Sequence, residues 1–80
     1  DLYDRLAKLY WQRMDRIEDA ETIYLQGLEA TDQNSEVYKK LIVFYEIFEE
    51  RVKLKFYVQE YLELYPEDTT VKQEWGYLLE

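Results

Sequence analysis

A shift of 34 or 35 residues superimposes this chain on itself, and that internal repeat restricts the fold more than any other feature of the sequence. At 34 residues Ala20 falls on Leu54, Tyr24 on Val58, Leu28 on Leu62 and Asp32 on Pro66. Further upstream the match needs 35 residues, and then Tyr3 meets Tyr38, Leu6 meets Leu41, Ala7 meets Ile42 and Tyr10 meets Tyr45. A third copy starts 34 residues after the second, with Leu41 matched by Trp75, Ile42 by Gly76 and Tyr45 by Leu79. Self-similarity at this period marks units that cannot bury an apolar face alone and do so by stacking on their neighbours. The sequence holds about two and a third such units: repeat 1 at 1–34, repeat 2 at 35–68, and a partial repeat or capping helix at 69–80. The change from 35 to 34 predicts one extra residue in the first turn between helices.

Spacing inside each unit decides the secondary structure. Tyr3, Leu6, Ala7 and Tyr10, like Tyr38, Leu41, Ile42 and Tyr45, recur at intervals of three and four, which places them on one side of a helix. Ala20, Tyr24, Gly27 and Leu28 form a second stripe, and Leu54, Val58, Tyr61, Leu62 and Tyr65 its counterpart. Each unit is therefore predicted to be a helical hairpin. Asp15 followed by Glu18 has the spacing of a capping box, in which each side chain would satisfy a backbone N–H left open at a helix start. The stretches 31–35 and 66–70 are rich in turn formers and separate the units. Five helices are expected, near 2–13, 16–30, 35–48, 51–65 and 69–80.

Composition bounds the function. With no Cys and no His, the sequence lacks a thiolate, a disulfide framework and the usual general base, so zinc, redox and acid–base roles are not expected and no cofactor is predicted. Acidic pairs such as Glu49-Glu50 and Glu67-Asp68 sit at predicted turns without a second catalytic group, and no enzymatic activity is expected. The net charge of −8 repels a phosphate backbone, which argues against direct nucleic-acid binding. The longest apolar run, Leu41 to Tyr45, is far shorter than the roughly 20 residues that span a bilayer. A cytoplasmic or otherwise intracellular setting is the expectation. Because the chain does not open on Met, it is expected to be a piece of something longer.

The pattern W-x2-L-G-x2-Y, then A-x3-F, then P, at a 34-residue period is that of the tetratricopeptide family, and this sequence resembles it over its full length. Tyr3, Leu6, Ala7, Tyr10, Ala20 and Tyr24 follow it in the first unit. In the second, Tyr38, Leu41, Ile42, Tyr45, Leu54, Val58 and Pro66 do so, with Trp75, Gly76 and Leu79 in the third. The chain departs from the pattern in lacking glycine at both hairpin turns and in placing Ile42 where a small residue is usual. The resemblance implies an all-α fold of antiparallel helical hairpins stacked as a right-handed superhelix. It also implies a concave groove lined by the first helix of each unit, where partners bind.

Transferred by the repeat, the groove positions are Asp4, Lys8 and Trp11, then Lys39, Val43 and Ile47, then Gln73 and Tyr77. They do not form the family's clamp for peptide C-termini as a set, so a mixed or basic amphipathic segment of another protein is the expected ligand of an acidic scaffold. Trp11 weighs most among them, because Trp is enriched where binding energy concentrates. The last helix presents Trp75, Leu78 and Leu79 with no polar helix after it, which predicts either further chain or self-association through that end. The sequence also resembles the helical activator domains of some bacterial transcription regulators. That second reading makes the chain a regulatory domain whose DNA-binding module lies elsewhere.

Overall fold

The computed structural model describes residues 2–80, and every regular element among them is helical. Helix α1 spans Leu2–Lys8 and runs on as a π-helical segment, Leu9–Arg13; α2 spans Ile17–Ala30, α3 Ser35–Ile47, α4 Arg51–Leu64 and α5 Thr69–Trp75, with a 3-10 turn at Gly76–Leu79. The all-α expectation and the five helical segments hold. Three-residue turns join the first helix to α2 and α3 to α4, so each pair is an antiparallel hairpin. The hairpins stack through α2 on α3, α1 also reaches α3, and α5 closes on α4. The stack measures 35 × 25 × 16 Å.

The turns work without glycine by forcing four other residues into the left-handed region: Asp15, Asp32, Gln33 and Glu49, with φ of 52°, 54°, 62° and 55°. At the end of α3 the Glu49 N–H reaches the Glu46 carbonyl and the Glu50 N–H the Tyr45 carbonyl, at 3.2 and 3.0 Å. This is the Schellman closure, in which a left-handed residue lets the chain double back on the last turn. The same pair closes α2, from Asp32 to Glu29 and from Gln33 to Leu28, at 3.4 and 2.7 Å. Asp15 takes the equivalent place after the first helix. That corrects the predicted capping box, since a residue turned left-handed to end one helix is not the N-cap of the next. The N-cap of α2 is Arg16, which makes no side-chain cap and instead pairs with Asp19 at 2.6 Å. True side-chain caps occur at Asn34, which accepts from the Glu36 and Val37 N–H groups at 2.9 and 3.4 Å, and at Asp68, which accepts from Val71 at 3.1 Å.

The extra residue of the first unit lies in the helix and not in the turn. Asp15 and Glu49, both left-handed, are 34 apart, as are the N-caps Arg16 and Glu50, so the two hairpin turns have equal length. Register 35 still relates Tyr10 to Tyr45, and the slip therefore falls between Tyr10 and Met14. There the helix widens into its π turn, the usual way for a helix to absorb one inserted residue. The closing bonds record it: Arg16 N–H reaches back six residues to the Tyr10 carbonyl at 2.9 Å, whereas Glu50 reaches back five to Tyr45.

Burial follows the predicted stripes, with Ala7, Ala20, Tyr24, Leu28, Leu41, Ile42, Tyr45, Leu54, Val58 and Tyr61 all in the core. Tyr3 and Tyr10 pack against it from the edge, but Leu6, expected on the same stripe, is exposed. The tyrosines are explained by hydrogen bonds that tie one element to another. Tyr24 donates to Asp4 at 2.7 Å, Tyr45 to Glu21 at 2.6 Å, Tyr38 to Glu60 at 3.4 Å, and Tyr61 to Asp68. Phenols fit such interfaces because the ring fills apolar space while the hydroxyl finds a polar partner.

The C-terminal segment also differs from expectation. One helix over 69–80 is interrupted after Trp75, where the backbone opens to φ −125°, ψ 0° and continues as a 3-10 turn. The tighter turn brings Leu78 back onto the core. Trp75 is not left uncovered: it is 6% exposed, and its indole N–H donates to Glu46 of α3 at 2.8 Å.

Candidate partner-binding face

The eight predicted groove residues separate into a buried set and an exposed set. Asp4 belongs to the first. Its carboxylate is buried, accepts the Tyr24 hydroxyl and pairs with Lys8 at 3.3 Å. Burial, with Asp4 at hand, pushes the Tyr24 phenol well above its ordinary pKa, so the hydroxyl keeps its proton and donates it to Asp4. Asp4 is therefore a structural residue, because a charge removed from water needs its donors. Lys8 is half-buried beside it.

Trp11 is likewise committed to packing. Its ring meets Phe48 edge-on at 5.3 Å and Phe44 at 6.3 Å, which ties the π segment to α3. The indole Nε1 is buried and forms no hydrogen bond of normal geometry, although it lies close enough to Tyr24 to oppose the rise in that phenol's pKa. The π turn accounts for this inward placement. Tyr10 is the mate of Tyr45 at a shift of 35 residues and Trp11 at a shift of 34, so the slip of register falls between two consecutive aromatics.

The remaining residues face outward. On α3, Lys39, Val43 and Ile47 follow one another at four-residue spacing along one line of the helix. Val43 is 37% and Ile47 51% exposed, while Tyr38, Leu41, Ile42, Phe44 and Tyr45 on the other sides are buried. Lys39 anchors the line, bridging Glu36 at 3.8 Å and Asp68 at 3.4 Å. Tyr77 is 55% exposed and lines a depression of about 310 Å³ with Glu46, Glu49, Arg51 and Leu54. Gln73 is exposed on α5. The structure thus brings Lys39, Val43 and Ile47 together, sets Tyr77 near the far end of the row, and withdraws Asp4 and Trp11 from it.

Asp68 was not among the predicted face residues. It caps α5, accepts the Tyr61 hydroxyl and meets Lys39. The Tyr61 bond, then the Val71 N–H, and last Lys39 hold its carboxyl below the ordinary range. Beside it Ser35, Lys39, Tyr61, Leu64 and Tyr65 line a depression of about 480 Å³. A cap at Asp68 was legible from the turn that precedes α5, but its link to Lys39 joins helices 29 residues apart and leaves no local signal. Among the described residues no group of three or more carboxylates is placed to hold a metal ion, and no helix is long and apolar enough to cross a membrane. No protein family model, curated protein or solved structure matches the chain.

Proposed function

We propose that this chain is a protein-interaction scaffold that holds a peptide or amphipathic helix of another protein along the exposed line of α3. The observation that carries the reading is the row Lys39, Val43, Ile47. Single exposed apolar residues are ordinary on a protein surface, but aligned ones next to a fixed cation form a strip that a second segment can cover. An extended or helical ligand lying on Val43 and Ile47 would remove both from water, and Lys39 and Tyr77 would supply polar contacts at the two ends. Helical hairpins suit this task because their framework is fixed by the core and leaves the outward positions free to vary.

The test compares the immobilised chain with a Val43→Asp, Ile47→Asp double variant. Neither residue contributes to the buried core, so helicity and melting temperature should stay within error. Proteins retained by the parent chain and lost from the variant support the reading. Retention of the same set by both excludes the α3 row as the binding face.

A further inference from the structure

Three helices meet around a cavity of about 370 Å³ between the start of α2, the end of α3 and the start of α4. That is at the small end of the range that takes small ligands, about 300–1,000 Å³. Its lining is aromatic on the α3 side, where Phe44, Tyr45 and Phe48 lie, and acidic toward α2 and α4, where Glu18, Glu21 and Glu50 lie. Phe44 and Tyr45 belong to the core, so the floor is fixed by packing. Phe48, only partly buried, and Ile17, 38% exposed, leave apolar surface open at the sides.

The place already holds one cation of its own. The Lys53 ammonium meets Glu21 at 2.9 Å and lies 5.9 Å from the centre of the Tyr45 ring. It uses little of what the cavity offers. The Glu21 oxygen that takes Lys53, Oε2, also accepts the Tyr45 hydroxyl at 2.6 Å, while Oε1 accepts no hydrogen bond among the described residues. Glu50 sits at the N-cap of α4 without capping it, and among the described residues neither its carboxylate nor that of Glu18 forms a hydrogen bond or a salt bridge. Three carboxylates therefore face one half-exposed ammonium. They do not converge closely enough to hold a metal ion. A cation that answers them has to be extended, with several donors and an apolar body. A guanidinium fits that description, because it carries five N–H donors in a planar fork, is weakly hydrated and lies readily against aromatic rings, whereas an ammonium is a compact, strongly hydrated point charge.

We propose that this cavity binds a guanidinium group, with its N–H donors shared among Glu18, Glu50 and the open oxygen of Glu21, and its alkyl stem against Ile17 and Phe48. The net charge of −8 draws such a cation toward the molecule, and the cavity fixes where it stops. No residue of the α3 row lines the cavity, so the site does not depend on that row.

The probe is N-acetyl-arginine amide, titrated into the isotope-labelled chain at constant ionic strength and followed by NMR. Saturable shifts should centre on the amides of Glu18, Glu21, Phe48 and Glu50. N-acetyl-citrulline amide, which keeps the shape and lacks the charge, should cause none, and N-acetyl-lysine amide should bind more weakly. Glu18→Gln with Glu50→Gln, both at exposed positions, should weaken binding by about fivefold or more, the loss expected when exposed ion pairs are removed. Lys53→Met removes the resident ammonium and should tighten binding, whereas Lys55→Met, the same charge change outside the cavity, should not. Circular dichroism should show the helicity of all these variants unchanged. An arginine flanked by alanines in a pentapeptide separates the sources of the group. Affinity at least equal to the amide's assigns it to a polypeptide, exclusion of the peptide assigns it to a free small molecule, and both results support the site. The proposal is overturned if the citrulline or lysine compound binds as tightly as the arginine one, or if the shifts spread over the acidic surface without saturating. It is also overturned if the Glu18, Glu50 variant binds unchanged, or if Lys53→Met has no more effect than Lys55→Met.

Discussion

Deleting Gln12 tests the origin of the 35-residue spacing directly. Gln12 is exposed and lies inside the π segment, between the part of the first helix in register 35 and the turn in register 34. Removing it should turn the π segment into ordinary α-helix. The bond from the Arg16 N–H to the Tyr10 carbonyl would then span five residues, as the bond from Glu50 to Tyr45 does now. Ala7 upstream and Ala20, Ile23 and Tyr24 downstream keep their places, so no buried side chain is moved, and the change in stability should be within about 1 kcal/mol. If the extra residue were taken up elsewhere, closing the gap would pull Trp11 off Phe44 and Phe48 or displace the α2 stripe. Either loss is of the large-to-small core kind and costs about 3–5 kcal/mol. Deleting Gln26 provides the control. It is also exposed but lies in a regular stretch of α2, and its loss rotates Gly27 and Leu28 by about 100° away from Ala20 and Tyr24. Urea denaturation followed by circular dichroism measures both variants on one scale. If the Gln12 deletion proves as damaging as the Gln26 deletion, the assignment of the insertion to the helix is wrong.

Three further outcomes follow from the geometry. Gly27→Ala should destabilise, because a Cβ there would stand 2.7 Å from Tyr3 Cγ, and the crowding, about 1–3 kcal/mol, outweighs the roughly 1 kcal/mol that Ala gains in a helix; Gly76→Ala, with nothing within 4 Å and an ordinary helical φ of −58°, should stabilise by up to about 1 kcal/mol, so thermal melts of the pair should move in opposite directions. Glu49→Gly should stabilise by about 1 kcal/mol in chemical denaturation, because the residue holds φ 55° and its N–H and the next already make the Schellman bonds. Burial raises the Glu21 carboxyl's pKa, the Tyr45 hydroxyl and Lys53 more than reverse it, and Asp68 is lowered by Tyr61, so the stability these carboxylates add should be present above their ordinary values of 4.5 and 3.8 and fall away as pH drops below them; burial and Glu60 push Tyr38 up to about 12, so its contribution should be full below pH 10 and lost as pH rises through 12, and circular dichroism at the two extremes reads both limbs.

The helices were legible because their signal is local: residues three and four apart share a face, and every buried member of the predicted stripes lies on one. The boundaries were legible for the same reason at Asn34 and Asp68, whose side chains cap the helices that follow them. Asp15 misled because one side chain type serves two opposite tasks. Asp caps a helix start through its oxygen and tolerates left-handed backbone at a helix end, and only the backbone angle separates the cases. The π turn could be counted from the register change but not located, because a single insertion is silent until its hydrogen bonds are known. The candidate face failed at Asp4 for a reason that lies 20 residues away. Nothing near it in sequence shows that Tyr24 will draw its carboxylate inward.

That inward draw also changes what the net charge says about partners. Eighteen acidic residues against ten basic ones suggest a uniformly negative surface, and long-range approach of a ligand does follow the total. At contact distance the arrangement counts for more. Asp4, Glu21, Glu46, Glu60 and Asp68 each accept a hydrogen bond from an aromatic side chain in another part of the fold, which turns these carboxylates toward the seams between elements. The two outward strips differ in chemistry from these seams. One is Lys39 with Val43 and Ile47; the other is Leu2, Leu6 and Leu9 with Arg5 between them and Arg16 over Tyr10. Both are apolar lines marked by a cation on an acidic protein. On the proposed α3 row Lys39 is already held by Glu36 and Asp68, so a segment attracted to the whole molecule by positive charge needs apolar side chains for Val43 and Ile47 more than it needs a carboxylate of its own.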